Sequence, residues 1–219
     1  MPSYSLVVFD WDGTLMDSTH SIVAAIQGAC RDLDLPVPSA SAASWVIGLS
    51  LESALRRAVP QLTAPMVPRF LERYRIHYLT RDPELRLFDG VRELLQDLAG
   101  QGARLAVATG KSRVGLDRAL ASTGLHRVFD ATRCADETFS KPNPAMLHEL
   151  MDELDVAPER VVMVGDTSHD MLMACNAGVH ALGVAYGAHG IDELQGCTPQ
   201  AVVETVPDMR QWLLERVPC

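Results

Sequence analysis

The sequence predicts an α/β fold in which a parallel β-sheet is covered by helices on both faces. Short, almost continuously apolar segments alternate with longer segments of helical periodicity, and the clearest apolar segments end in polar residues. Strands buried on both faces have this composition, and strand–helix–strand alternation is typical of parallel sheets. The alternation is interrupted once, after the first strand, which predicts an inserted helical unit.

Five segments are predicted to be strands: 4–9, 104–108, 160–164, 181–185 and 201–204. Apolar residues spaced as on one face of a helix precede the second and third of these strands. They are Val91, Leu94, Leu95 and Leu98, followed by Met146, Leu147, Leu150, Met151 and Leu154. The connections between these strands are therefore predicted to be helical.

The chain between the first and second strands contains helical patterns and no predicted strand. Helices are expected around 22–33, 51–59 and 67–79, and the segment PVPS at 36–39 ends the first of them. This is far more chain than a crossover connection requires. We therefore expect a discontinuous core domain of residues 1–16 and 84–219, with an all-helical cap domain of residues 17–83 standing over the sheet.

Composition narrows the class of protein. A chain of 219 residues can fold around one core that carries an insertion. Its five cysteines are scattered without metal-type spacing, which indicates reduced thiols and a cytoplasmic location. We expect neither a signal peptide nor a membrane span, because the apolar runs are too short. A formal charge of −9 disfavours nucleic acid as a partner. The sequence does not indicate an oligomeric state.

Carboxylates follow two of the predicted strands. Asp10 and Asp12 follow the first strand, and period-two alternation places both on one side of it, with Trp11 directed away. Asp166 and Asp170 follow the strand at 160–164. Ligands of open α/β sheets bind outside the carboxyl ends of the strands, so these side chains are expected to meet there. Converging carboxylates repel one another unless a cation compensates them, and oxygen ligands of this kind suit Mg²⁺.

The remaining candidate residues indicate a phosphate-binding site. Thr109 and Gly110 follow the second strand, and we expect them to donate hydrogen bonds to phosphate oxygens, with the Gly110 amide at a helix start. Lys141 is expected to neutralise a phosphoryl transition state. It is one of only two lysines among 19 cationic residues, the other being Lys111. Each feature alone has a simpler explanation as a turn, a helix cap or a loop. Their occurrence together favours phosphoryl transfer through an aspartyl-phosphate.

Four motifs make the resemblance to a known family specific. FDWDGTLMDS, ATGK, SKPNP and GDTSHDMLMACNAG resemble, in order, the four motifs of the haloacid dehalogenase-like hydrolase superfamily. The resemblance covers nearly the whole chain and implies a Rossmann-like core with a C1-type cap. The segment SWVIGLSLESAL is similar to the corresponding segment of phosphoglycolate phosphatase-like members.

The resemblance also implies roles for the site residues. Asp10 would be the nucleophile, and Asp12 would protonate the leaving group and later deprotonate water. Mg²⁺ would be bound by Asp10, the backbone carbonyl of Asp12, and Asp166, with Asp170 supporting the site. The phosphoryl-binding residues would be Thr109, Gly110 and Lys141. Because related dehalogenases lack an acid at the position of Asp12, its presence favours a phosphatase or a phosphomutase.

The expected function is Mg²⁺-dependent hydrolysis of a small phosphorylated metabolite, of the phosphoglycolate or sugar-phosphate class. Two alternatives stay open. One is a phosphomutase of the β-phosphoglucomutase type, which would share the core residues. The other is a phospho-accepting signalling module that resembles receiver domains, in which residues 17–83 would have no purpose. Lys111 is compatible with either a phosphate site or the surface, and His169 is expected to be a solvated loop residue.

Overall fold

The computed structural model describes residues 3–81 and 85–218. At its centre lies a six-stranded sheet in the order β3-β2-β1-β4-β5-β6, and all of its strand pairs are parallel. The strands are β1 (Leu6–Phe9), β2 (Arg104–Thr109), β3 (Ala131–Cys134), β4 (Val161–Gly165), β5 (His180–Val184) and β6 (Ala201–Val203). The predicted α/β class with a Rossmann-like parallel sheet is confirmed.

Helices connect the strands. Those between β1 and β2 are α1 (Thr19–Asp32), α2 (Ala40–Trp45), α3 (Leu51–Ala58), α4 (Val67–Arg81) and α5 (Val91–Gly100). The later ones are α6 (Arg113–Thr123), α7 (Ala145–Leu154), α8 (Ser168–Ala177), α9 (Ile191–Gln195) and α10 (Val206–Leu214). Short 3₁₀ turns at Ala64–Met66 and Pro158–Arg160 precede α4 and β4. Strand β3 and helix α2 were not among the predicted elements.

The central strand shows why the sheet is covered on both faces. Leu6 and Val8 belong to one hydrophobic cluster, Val7 and Phe9 to another, and none of the four side chains is exposed. Alternate residues of a strand point to opposite faces, so a four-residue apolar run supplies both clusters. Full burial of such a side chain contributes about 1.5–3 kcal/mol relative to its exposed state. The central strand is therefore a rigid support for the residues that follow it.

Helices α1 to α4 form a helical insert, which we define as the described residues 17–81. The insert has a hydrophobic cluster of its own. Ile26, Leu55 and Phe70 are buried in this cluster. The predicted start of the insert, at residue 17, lies two residues before α1. Its predicted end, at the 83/84 boundary, lies outside the described residues. The division of the chain into two domains stays a prediction.

Two further expectations concern the environment of the chain. In the described ranges, no helix has both the length and the apolar character needed to cross a membrane. Cys30, Cys134, Cys175 and Cys197 carry free thiols, and Cys219 lies outside the described residues.

Candidate active site

The site lies where the strand order reverses, between β1 and β4, and open α/β sheets bind ligands at such a point. Phe9 pairs with Val164, and the Asp10 amide extends the pairing by donating to the Val164 carbonyl at 2.9 Å. Asp10 and Asp166 are therefore delivered to one place. Gly13, at a φ of +84°, is required there, because an added Cβ would lie 2.1 Å from Oδ2 of Asp166.

Asp10 is 1% exposed, and its two carboxylate oxygens differ in their surroundings. Oδ1 accepts a hydrogen bond from the Trp11 amide at 2.6 Å and lies 2.9 Å from Nζ of Lys141. Oδ2 is buried and has no hydrogen-bond partner among the described residues. Burial raises the pKa of Asp10 to about 7, with Lys141 opposing the shift and the charges of Asp170 and Asp12 adding to it.

Lys141 connects two of the carboxylates. Its side chain is fully buried, and Nζ lies 2.6 Å from Oδ1 of Asp170. Burial by itself would lower the pKa of Lys141, but Asp10 and Asp170 outweigh it, so the pKa is raised and the group stays an ammonium. The other oxygen of Asp170 accepts from the Thr167 hydroxyl at 2.6 Å, within a capping box at the start of α8. Asp170 therefore both contributes to the cap of α8 and contacts the lysine.

Asp166 is fully buried and accepts two hydrogen bonds. Oδ1 accepts from the Thr14 hydroxyl at 2.8 Å, and Oδ2 accepts from the Ala188 amide at 2.7 Å. Burial raises the pKa of Asp166 well above its usual range, and the charges of Asp10 and Asp170 add to this effect. Oxygens of the three aspartates lie within 4.8 Å of one another.

This group of carboxylates fits a divalent cation. Asp10, Asp166 and Asp170 carry three negative charges when ionised, and the ammonium of Lys141 compensates one of them. A hard cation with oxygen ligands would balance the remaining negative charge. The predicted contribution of Asp12 through its backbone carbonyl stays a prediction.

The carboxylate of Asp12 faces a second lysine. Both of its oxygens lie 2.9 Å from Nζ of Lys111, and Oδ1 also accepts from the Ser18 hydroxyl at 2.6 Å. Lys111 also donates to the Tyr78 hydroxyl oxygen at 3.0 Å, and its side chain is 10% exposed. The alternative of a surface role for Lys111 is wrong. The scarcity of lysine was the available signal, since Lys111 and Lys141 both pair with site carboxylates.

Thr109 is the last residue of β2, and Gly110 follows it at the same edge of the sheet. Thr109 is fully buried, and its hydroxyl oxygen accepts from the Lys111 amide at 3.2 Å. The expectation that the Gly110 amide begins a helix is wrong: α6 begins at Arg113, and the Ser112 side chain caps it. Three intervening residues let the chain turn between the strand and the helix, and that turn is where Lys111 lies.

Gly110 contacts the helical insert directly. A Cβ added to Gly110 would lie 2.5 Å from the Leu49 carbonyl oxygen and 2.6 Å from that of Gly48. A Cβ on Gly48 would in turn lie 3.2 Å from the Thr167 hydroxyl and 3.8 Å from Oδ2 of Asp10. The turn between α2 and α3 therefore lies close to Asp10 and Thr167, and this approach is possible because Gly48 and Gly110 lack side chains.

A second contact of the insert involves Trp45 at the end of α2. Its carbonyl oxygen accepts from Nε2 of His169 at 3.0 Å and from Nε2 of His189 at 2.9 Å. Its indole donates to Glu193 at 2.7 Å. The prediction that His169 is solvated is wrong, because the residue is 4% exposed and burial lowers its pKa. The periodicity of the sequence does not reveal such a contact between distant segments.

Fold and site together define an α/β enzyme whose acidic centre lies at the carboxyl edge of a parallel sheet, beneath a helical insert. Residues 7–184 match the model of the haloacid dehalogenase-like hydrolase family, and the chain belongs to this family.

Similar proteins agree with this assignment. The chain is 39% identical over 210 residues to "Probable phosphatase IndB" of Dickeya dadantii (strain 3937), covering 93% of this chain and 91% of that protein. It is 32% identical to a phosphoglycolate phosphatase of Pectobacterium atrosepticum, covering 93% and 89%. The crystal structure of a predicted phosphoglycolate phosphatase from Haemophilus somnus 129PT superimposes with a TM-score of 0.86 at 26% identity, covering 95% of this chain and 97% of that one. The resemblance to phosphoglycolate phosphatase-like members of the family is confirmed.

Proposed function

We propose that this protein is a Mg²⁺-dependent phosphatase that hydrolyses a small phosphorylated metabolite through an aspartyl-phosphate on Asp10. The two oxygens of that carboxylate carry the proposal. Oδ1 is restrained by Trp11 and Lys141, whereas Oδ2 is buried without a hydrogen-bond partner among the described residues. A carboxylate held by one oxygen presents the other to an electrophile in a fixed orientation. The relatives named as phosphatases support the reaction class.

In the first half-reaction, Oδ2 of Asp10 forms a bond to phosphorus while the ester bond to the leaving oxygen breaks. Asp12 gives its proton to that oxygen, which leaves as an alcohol. Lys141, the Thr109 hydroxyl and the Gly110 amide stabilise charge on the phosphoryl group. When bound by Asp10, Asp166 and the carbonyl of Asp12, with Asp170 beside it, Mg²⁺ would neutralise further charge on the phosphoryl oxygens.

In the second half-reaction, Asp12 is a carboxylate and takes a proton from the attacking water. The water oxygen bonds to phosphorus, the bond between phosphorus and Asp10 breaks, and inorganic phosphate is released. Both aspartates return to their starting states. The turn at Gly48 and Leu49 lies over Gly110, a position from which it limits the access of water during the first half-reaction.

A phosphomutase of the β-phosphoglucomutase type would use the same core residues, with a sugar hydroxyl in place of water. We favour hydrolysis because the similar proteins reported above are named as phosphatases. The receiver-like alternative is not retained, since the chain belongs to a hydrolase family. The scattered cysteines support a cytoplasmic location.

Phosphate release from a panel of phosphorylated metabolites tests the proposal. We expect turnover with Mg²⁺, none in EDTA, and none for Asp10→Asn, whose side chain is nearly isosteric. Asp152→Asn is a matched control because Asp152 is exposed and outside the site. Turnover by Asp10→Asn, or turnover that survives chelation, would contradict the proposal. Isomerisation of a hexose 1-phosphate without phosphate release would establish the mutase instead.

A further inference from the structure

Trp45, at the end of α2, contacts three segments outside the helical insert. They are the start of α8, the loop that follows β5, and α9, and the contacts involve His169, His189 and Glu193. We propose that Trp45 is a positioning residue that couples the seating of the insert against the sheet to the binding of a divalent cation at the acidic centre. This inference rests on the proposed function and deepens it by assigning how the metal site is regulated.

The indole ring of Trp45 is held from both sides of the seam between the insert and the sheet. It stacks on the His189 ring, with centroids 5.6 Å apart and planes 22° apart, and it meets the His169 ring edge-on at 4.6 Å. From the insert itself, the guanidinium of Arg57 lies 3.7 Å from the centroid of the indole ring. Stacked, edge-on and cation–π contacts each favour a particular ring orientation, so together they fix where the end of α2 lies.

The hydrogen bonds of the two histidines identify which ring atoms carry hydrogen. The Trp45 carbonyl oxygen can only accept, so Nε2 of both rings donates to it. Nδ1 of His189 accepts from the Ser168 amide at 3.0 Å, so this ring is the neutral tautomer with its hydrogen on Nε2. A continuous series of hydrogen bonds therefore joins the insert, through His189, to Ser168, the first residue of α8.

The loop that carries His189 also orients Asp166. The His189 amide donates to the Asp166 backbone carbonyl at 3.2 Å, and the Ala188 amide donates to Oδ2 of Asp166 at 2.7 Å. The hydroxyl of Ser44, the neighbour of Trp45 in α2, donates to the Ala188 carbonyl at 3.1 Å. An insert that moves away takes Ser44 and Trp45 with it. The loop would then lose contacts that keep Asp166 in its orientation.

An open cavity of about 590 Å³ beside Trp45 leaves room for such a movement. It lies between the insert and the loop after β5, and its walls include Val23 and Ser41 on one side and Gly190 on the other. The insert also buries most of its apolar side chains in a cluster of its own. Seating of the insert therefore depends on a limited set of contacts, of which those of Trp45 form one group.

Coupling of this kind is reciprocal. A cation that requires the seated orientation of Asp166 binds the seated protein more tightly, and it must therefore stabilise the seated insert by the same factor. Two measurements follow from this relationship: the affinity for the cation when the seating contacts are weakened, and the seating of the insert when the cation is added.

Isothermal titration calorimetry with MgCl₂ measures the affinity without turnover. We expect Trp45→Ala to weaken Mg²⁺ binding about tenfold, within the usual range for coupled sites. Trp45→Phe should weaken it less, because it keeps an aromatic ring and loses only the donor to Glu193. Ile26→Val is the matched control, since Ile26 is buried in the cluster of the insert. It should lower stability and leave the affinity for Mg²⁺ unchanged, as Trp45→Ala would also do if Trp45 had only a structural role.

Hydrogen exchange of the wild type gives a test that needs no variant. Mg²⁺ should slow amide exchange about tenfold in residues 40–50, which form α2 and the turn after it, because the cation stabilises the seated insert. Slowing that is confined to the segments that carry the aspartates would overturn the inference.

The outcomes separate this inference from the proposed function. If the wild type and Trp45→Ala bind Mg²⁺ with the same affinity, the inference is overturned while the proposed function stands. If Trp45→Ala does not fold, the exchange experiment on the wild type decides. If the wild type binds no Mg²⁺ and releases no phosphate from p-nitrophenyl phosphate, the proposed function fails and this inference fails with it.

Discussion

Nζ of Lys141 lies 2.9 Å from Oδ1 of Asp10, in a position where the lysine side chain is 0% exposed and the aspartate side chain 1%. The ion pair fixes one oxygen of the proposed nucleophile and leaves Oδ2 without a partner among the described residues. The same ammonium lies 2.6 Å from Asp170, so one cation serves two buried carboxylates. Reactivity and stability should therefore both depend on Lys141.

Lys141→Met should strongly destabilise the fold. The change leaves Asp10 and Asp170 buried without their cation, and breaking a buried ion pair in this way costs about 3–5 kcal/mol. Urea denaturation in EDTA at pH 8 measures the difference in the free energy of unfolding. Adding Asp170→Asn to this variant should recover part of the loss, because it removes one of the two unpaired charges. A loss below about 1 kcal/mol would show that the pair does not restrain the site.

Asp12→Ala should reduce activity in proportion to how much the leaving group needs a proton. General acids contribute about 10²–10⁴-fold, so we expect losses of that order in kcat on alkyl phosphates. With p-nitrophenyl phosphate, the rate at which Asp10 is phosphorylated should fall only slightly, because p-nitrophenolate leaves without protonation. The burst of p-nitrophenol in a stopped-flow experiment measures that step. Equal losses of the phosphorylation rate on both substrate types would contradict the assigned role.

Asp166→Asn should stabilise the metal-free protein at alkaline pH. The pKa of Asp10 is raised from 3.8 to about 7, and that of Asp166 is raised as well. Between about pH 4 and pH 7 the folded state therefore binds more protons at these groups than the unfolded chain does, so their contribution to stability falls as pH rises. The asparagine can still accept from the Ala188 amide and can donate to the Thr14 hydroxyl, which replaces both hydrogen bonds.

Thermal or urea unfolding of the wild type and of Asp166→Asn in EDTA tests this prediction. We expect Asp166→Asn to be more stable than the wild type at pH 8, and this advantage to be clearly smaller at pH 5. Mg²⁺ should reverse the order at pH 8, because it stabilises only the protein that binds it. If the wild type is the more stable protein in EDTA at pH 8, the three carboxylates are not under mutual repulsion.

Gly110→Ala should impair catalysis without destabilising the sheet. The added methyl group would lie 2.5 Å from the Leu49 carbonyl and 2.6 Å from that of Gly48, so the turn between α2 and α3 must move away. We expect kcat/KM to fall at least tenfold while the urea midpoint changes little. Gly100→Ala is the matched control, because its methyl group meets no atom within 4 Å among the described residues. Unchanged kinetics in Gly110→Ala would mean that the insert need not approach Gly110.

The sequence predicted the elements whose physical signal is local. Strand β1 and helix α5 have continuous or periodic apolar residues, and the structure contains both. Strand β3 has the sequence ATRC, whose central residue Arg133 pairs with Glu149 and Glu153, so it lacks an apolar run. Helix α2 has six residues, mostly alanine and serine, and buries only Ala43. Neither element presents enough apolar surface to be recognised by pattern.

The same distinction applies to the site. Asp10 and Asp166 follow strands, and the rule that ligands bind at strand ends predicted that they would meet, which they do. The scarcity of lysine singled out Lys111, but its partners could not be predicted, since Asp12 and Tyr78 are separated from it by 99 and 33 residues. Contacts of this kind depend on how the insert and the sheet approach each other, and no local pattern encodes that approach.

Trapping the covalent intermediate tests the central claim most directly. Asp12→Ala should accumulate phosphorylated enzyme with p-nitrophenyl phosphate and Mg²⁺, because the residue that activates water is missing. Acid quenching followed by borohydride reduction converts an aspartyl-phosphate to homoserine, which peptide mass spectrometry locates. We predict homoserine at position 10 and at no other aspartate. Reduction at Asp166 or Asp170, or no reduction in a variant that still shows a burst of p-nitrophenol, would contradict the assignment of Asp10 as the nucleophile.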